Sequence, residues 1–200
     1  MNEIYIENIK LKAERLKRKY PNSVFLNVTS SGIMPWKKFS PFYPHGFIPI
    51  PNSKGHFSET VEGVWQGLKV FQNSGISDFS FKIKSMKDIK RNSLTNGKII
   101  GHQYGINSNE ILDYFNARKL IYLPVYQFIL QNYLQSEISE LKKILTSNSI
   151  VLLDYDTNCD ILNLKKPLSH YYLIKQYLIG KYDDLYLMNL TTYGKQTSLF

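Results

Sequence analysis

Glu62, Gln66 and Lys69 are the residues whose types and spacing point most directly to chemistry. A carboxylate, an amide and an amine recur at i, i+4 and i+7 within Val61-Glu62-Gly63-Val64-Trp65-Gln66-Gly67-Leu68-Lys69. On a helix this spacing aligns them along one face over about 10.5 Å of axis. An amine that is kept neutral can act as a nucleophile, with a nearby acid guiding a proton or a water. Gly63 and Gly67 each cost a helix about 1 kcal/mol relative to Ala, a cost that makes sense where a second backbone or a ligand packs closely. The same triplet also suits a solvated polar face, and spacing alone leaves both readings open.

Three further clusters stand out. Phe39-Ser40-Pro41-Phe42-Tyr43-Pro44-His45 sets aromatic faces on a proline-stiffened backbone, either a platform for stacking a planar base or a plug for the core. Asp154, Asp156 and Asp160 follow the apolar run Ile150–Leu153, and acids at the C-terminal end of a strand are well placed to line a cleft. Lys165-Lys166-Pro167-Leu168-Ser169-His170 leads into a helix whose first amides could hold a phosphate or simply be capped. The acidic stretch lacks the Gly and Glu of a calcium loop. His45, His56, His102 and His170 lack ligand spacing, and Cys159 stands alone, so neither a metal nor a cofactor is expected. Walker A, GxGxxG and GxSxG runs are absent, which excludes the P-loop, Rossmann and α/β-hydrolase classes.

The elements that must carry these groups read as follows. Ile6, Ile9, Ala13 and Leu16 predict an amphipathic basic helix within residues 1–22. A strand is expected over Ser23–Thr29, and an irregular proline-rich loop from Pro35 to Gly55. A helix capped by Ser58 is expected to run through Phe71. A strand over Phe79–Ile83 and a helix from Ser85 are weaker patterns. Asn107 and Glu110 resemble a capping box for a helix reaching Arg118. Further helices are expected over Leu123–Leu134, from Ser136, and from Pro167 to Gly180, with a buried strand at Ile150–Leu153 and a last strand at Leu185–Leu190. The fold class is α+β, predominantly helical with a few short strands, in a single domain over residues 23–200.

Composition bounds the partners. The 200 residues include 15 Tyr and 11 Phe, too aromatic for a disordered chain. No apolar run is long enough for a membrane helix, and the N-terminal stretch lacks the apolar segment of a secretory leader. A cytoplasmic protein of a bacterial or phage-infected cell is expected, consistent with a lone cysteine and richness in Ile, Lys, Asn and Tyr. The net charge of +9 favours polyanions, and equally serves solubility.

Taken in order, Ser40-Pro41-Phe42-Tyr43-Pro44 followed by Val61-Glu62, Gln66 and Lys69 resembles the NADAR superfamily, whose early pattern is S-x-F-Y-P and then V-E-x-x-x-Q-x-x-K. Lys90-Arg91, Ala117-Arg118-Lys119 and the acids from Asp154 to Asp160 extend the likeness loosely over residues 24–180. Gly63 replaces a frequent His of the family, and the family's downstream Trp and W-G-x-G segment have no counterpart. The resemblance implies an N-glycosidase that removes ADP-ribose from guanine in DNA, with DNA contact through the basic surface. It also admits a small-molecule N-glycosidase acting on a riboflavin-pathway-type intermediate. Lys69 is then the attacking amine, with Glu62 or Asp154 handling the proton or water. Ser40, Phe42, Tyr43, Gln66, Tyr104, Arg118, Asp160, Ser169 and His170 would bind the ADP-ribosylated nucleic acid or nucleotide, and His102 is an alternative to Tyr104 for stacking. Outside that resemblance, a non-catalytic nucleic-acid or ADP-ribose binding module needs only the charge and the aromatics, and a structural protein needs none of these groups.

Overall fold

In a computed structural model, residues 2–188 are described. The chain begins β1 (Ile4–Asn8), α1 (Ala13–Lys19), β2 (Ser23–Asn27), β3 (Ile48–Pro49), β4 (Phe57–Ser58), α2 (Val61–Gly67), β5 (Lys69–Phe71) and α3 (Asp78–Phe81). It continues α4 (Ser93–Asn96), β6 (Ile99–Gln103), β7 (Ile111–Leu112), α5 (Tyr114–Ala117), α6 (Leu123–Asn132) and α7 (Gln135–Ser147). Last come β8 (Ser149–Asp154), α8 (His170–Leu178) and α9 (Asp184–Leu187). A 3-10 turn spans Trp36–Phe39 and a π turn spans Arg118–Tyr122. The class is α+β. The described residues group into two compact units, 2–26 with 141–188, and 27–140.

In the first unit a three-stranded sheet runs in the order β1-β8-β2, with β8 central. Ile150, Val151 and Leu152 of β8 are fully buried, the near-continuous apolar run that a central strand requires. Here the structure corrects the expected N-terminal helix: residues 4–8 are a strand that pairs in parallel with β8, Ile4 opposite Ile150 through Asn8 opposite Asp154. Ile4, Tyr5 and Ile6 are β-branched or aromatic and pack best on a pleated surface. Only Ala13–Lys19 is helical, burying Leu16. Helix α8 starts at His170 instead of Pro167, and Gly180 beyond its end has φ +71, a conformation that glycine adopts freely. The strand expected at Leu185–Leu190 is the helix α9 up to Leu187, and Leu190 lies outside the described residues.

In the second unit β5, β6 and β7 form an antiparallel sheet and β3–β4 a short hairpin. The helix expected over 58–71 begins after Thr60, whose Oγ1 accepts from the Gly63 amide at 2.7 Å. It ends at Gly67, and Lys69-Val70-Phe71 pairs with β6 instead. Both helix glycines are explained by packing against α3. A Cβ on Gly63 would sit 2.8 Å from the Ser80 carbonyl, and one on Gly67 would enter the Phe81 ring. The strand expected over Phe79–Ile83 does not form: Asp78–Phe81 is helical, with the Ser77 side chain capping the Ser80 amide. Residues 85–90 are not helical. The cap expected at Asn107 is supplied by Asp113, whose Oδ1 accepts from the Asn116 amide at 2.8 Å. The proline-rich loop is irregular apart from its 3-10 turn and β3. It is anchored where the buried Tyr126 hydroxyl donates to the Phe39 carbonyl at 2.7 Å.

Candidate functional site

The Ser40–Pro44 loop and α2 are joined by their backbones, since the Glu62 amide donates to the Pro41 carbonyl at 2.9 Å. One helical turn on, Gln66 Nε2 donates to Glu62 Oε1 at 2.8 Å. The chain then leaves the helix, yet Lys69 turns back so that Nζ donates to Gln66 Oε1 at 2.9 Å. Glu62, Gln66 and Lys69 therefore form one line of hydrogen bonds, with only 8%, 4% and 8% of their surfaces exposed. The i+7 helical spacing is replaced by a helix-to-strand junction, and the three groups meet all the same.

Arg91 fixes that junction from behind. Its guanidinium donates to the Lys69 carbonyl at 2.6 Å, the Gln66 carbonyl at 3.3 Å, and Ser74 Oγ and the Gly75 carbonyl at 2.8 Å each. Its ring-facing contact is Phe71, 4.8 Å from the guanidinium carbon. A cation committed to backbone carbonyls positions the strand and is not arranged as a phosphate clamp. Burial pushes the Lys69 amine below the usual lysine range; Glu62 opposes this, while Arg91 and Lys90 add to it. Lowering of this kind brings a lysine toward the neutral form that a nucleophile needs.

Across the sheet, Lys69 is in register with His102, and directly opposed residues on antiparallel strands project from the same face. His102 is 1% exposed, and neither ring nitrogen has a hydrogen-bond partner. Burial, and then the charge of Lys69, hold its pKa down at about 3, so the imidazole is neutral. Trp65 lies against it with ring centroids 3.9 Å apart, and meets Tyr114 and Tyr122 edge-on at 5.8 and 5.7 Å. Arg118, 1% exposed, places its guanidinium 4.5 Å from the Tyr114 ring. Its backbone opens the π turn, a local widening often found at functional sites.

The remaining predicted residues divide between the units. Ser40 is buried with its hydroxyl 3.3 Å from the Phe42 amide, Phe42 lies 5.6 Å from the Lys90 ammonium, and Tyr43 packs on His45. Tyr104 is half-buried, its carbonyl accepting from Asn52 Nδ2 at 2.8 Å. Asp154, Asp160, Ser169 and His170 belong to the first unit. There Asp154 Oδ2 accepts from Ser169 Oγ at 3.0 Å and faces His170 Nδ1 at 3.2 Å. Burial would raise the Asp154 pKa, but His170, Ser169 and the Tyr155 amide together hold it below the usual carboxylate range. Asp160 Oδ1 accepts from the Leu162 amide at 2.8 Å, a local turn contact. Among the described residues no three His, Cys, Asp or Glu side chains converge as a metal site would require.

A family model described as "Family of unknown function (DUF6939)" matches residues 8–174. The chain belongs to DUF6939. No curated protein and no solved structure matches it. The DUF6939 span takes in Glu62, Gln66 and Lys69 as well as Asp154, Ser169 and His170. Among the described residues no helix is long and apolar enough to cross a membrane. Two features of this family member were not readable as site features from the sequence. Trp65 sits inside the Glu62–Lys69 motif without a spacing of its own, and the meeting of His102 with Lys69 depends on strand register.

Proposed function

We propose that this DUF6939 protein is an N-glycosidase that cleaves the bond between a ribosyl anomeric carbon and a base, with ADP-ribosylated guanine in DNA as the leading substrate. The observation that carries the reading is Lys69: a buried amine whose pKa is pushed down, hydrogen-bonded through Gln66 to Glu62. The likeness of Ser40–Pro44 and Val61–Lys69 to the NADAR pattern supports it.

In the proposed reaction the neutral Lys69 nitrogen attacks the anomeric carbon. The glycosidic C–N bond breaks, and the base leaves with that electron pair and a proton. The sugar ring then opens to a Lys69 imine, its ring oxygen taking a proton. Water adds to the imine carbon, the amine departs, and the sugar recloses with an anomeric hydroxyl, so the sum consumes one water. Glu62, held in place by Gln66, steers that water. Burial excludes bulk water from the amine.

Incubation of wild type and Lys69→Ala with guanine-ADP-ribosylated DNA, with products identified by mass spectrometry, tests the reading. Free ADP-ribose and unmodified DNA are expected from wild type, with at least about a hundredfold less from the variant. Equal release by both proteins would refute the role of Lys69. Salt-sensitive DNA binding with no release would favour a binding module.

A further inference from the structure

In the first unit the start of β1, the C-terminal turn of α7 and the C-terminal half of α8 enclose a cavity of about 420 Å³. That size falls within the roughly 300–1,000 Å³ of small-molecule sites. Ile4, Leu145, Leu178 and Ile179 supply an apolar wall, and Glu3 and Lys175 stand on the same cavity. Glu3 and Ile179 are exposed, so the cavity opens to solvent. Among the described residues neither Glu3 nor Lys175 forms an ion pair, with the other or with any third group. We infer that this cavity binds a free α-amino acid with an apolar side chain, its carboxylate on Lys175 and its ammonium on Glu3. The ligand is independent of the reaction proposed for Lys69, which belongs to the second unit.

Backbone contacts fix the frame around the two charges. The Glu3 amide donates to Ser149 Oγ at 3.0 Å, and the Glu3 carbonyl accepts from the Ile150 amide at 2.9 Å. Asn2 Nδ2 donates to the Leu145 carbonyl at 2.9 Å, joining the strand to the end of α7. On α8, Lys175, Leu178 and Ile179 fall at i, i+3 and i+4 and share one face, and the Ile179 amide donates to the Lys175 carbonyl at 3.1 Å. A lysine stem covers apolar surface while its ammonium stays at the rim. The Glu3 carboxylate neighbours the Tyr5 hydroxyl, whose pKa it raises, and this neutral partner leaves the carboxylate charge unbalanced. One acid and one base beside an apolar wall match a ligand that carries both opposite charges next to a hydrocarbon group. A purely anionic ligand would be repelled by Glu3, and a purely cationic one by Lys175.

Isothermal titration calorimetry of the full chain tests this with leucine and three analogues. Isoamylamine lacks the carboxylate of leucine, isocaproate lacks the ammonium, and glycine lacks the apolar side chain. Wild type, Lys175→Met and Glu3→Gln are compared, with folding of each checked by circular dichroism. Wild type is expected to bind leucine saturably and each analogue at least about tenfold more weakly. Each substitution should weaken leucine at least about tenfold. Lys175→Met should not weaken isoamylamine, and Glu3→Gln should not weaken isocaproate, because each analogue lacks the charge that the altered residue would hold. No saturable leucine binding up to about 10 mM, leucine affinity unchanged by both substitutions, or an analogue bound as tightly as leucine overturns the inference. Leucine binding that depends on both residues upholds it, even where wild type releases no ADP-ribose from DNA and the glycosidase reading fails.

Discussion

Lys69 Nζ donates to Gln66 Oε1 at 2.9 Å across the point where helix α2 becomes strand β5. Gln66 uses both ends of its amide, since its nitrogen donates to Glu62 and its oxygen also lies 3.3 Å from the Arg91 amide. Glu62 and Lys69 therefore face one another through a neutral relay.

Replacing the relay by an apolar residue should be costly. Gln66→Leu leaves a buried carboxylate and a buried amine each short of a partner. The expected loss is about 2–4 kcal/mol of unfolding free energy. Urea denaturation would measure it, and a loss under about 0.5 kcal/mol would show that the line of contacts contributes little.

The Lys69 amine has a folded pKa below its unfolded value, with burial as the first cause. In the window between the two values the unfolded chain binds more protons, so stability rises with pH there. Lys69→Met should accordingly melt at a higher temperature than wild type at neutral pH, with the gap closing as pH climbs toward the ordinary lysine range. Melting curves at several pH values would reveal a constant or widening gap if this were wrong.

Arg91 acts on the site through carbonyls. Lysine cannot reproduce its planar fork to the Gln66 and Lys69 carbonyls, Ser74 and Gly75. Arg91→Lys should cost about 1–3 kcal/mol and lower turnover through a misplaced Lys69. Stability and turnover both within experimental error of wild type would remove Arg91 from the account.

Much of this was legible from residue types, and what was not has identifiable causes. Glu62, Gln66 and Lys69 were grouped by helical spacing, and they do meet, but through a strand that begins at Lys69. Thr60 outcompeted Ser58 as the cap, and the pairing of Lys69 with His102 ended the helix, a tertiary influence no local pattern encodes. Ile6, Ile9, Ala13 and Leu16 fit a helical stripe, yet Ile4–Asn8 gains more by pairing with β8. The apolar run at Ile150–Leu153 was read correctly because central strands need no alternation. Asp154 was grouped with Lys69 by resemblance; within its own unit it accepts from Ser169 and the Tyr155 amide and faces His170.

That carboxylate gives a prediction for the first unit. Asp154 has a folded pKa below its unfolded value because His170, Ser169 and the Tyr155 amide outweigh its burial. Its contribution is present above the unfolded value and disappears as pH falls through the folded one. Asp154→Asn should lose about 1.5–3 kcal/mol at pH 7, with the difference from wild type narrowing in acid. Denaturant titrations at pH 7 and in acid would check this, and a difference independent of pH would contradict it.

Reductive trapping reads out directly whether Lys69 becomes bonded to the sugar. Wild type is mixed with guanine-ADP-ribosylated DNA and sodium borohydride, digested, and analysed by peptide mass spectrometry. A reduced ADP-ribosyl adduct is expected on the peptide containing Lys69, absent when borohydride is omitted and absent from Lys69→Ala. Rapid release of ADP-ribose with no adduct at Lys69 would contradict it.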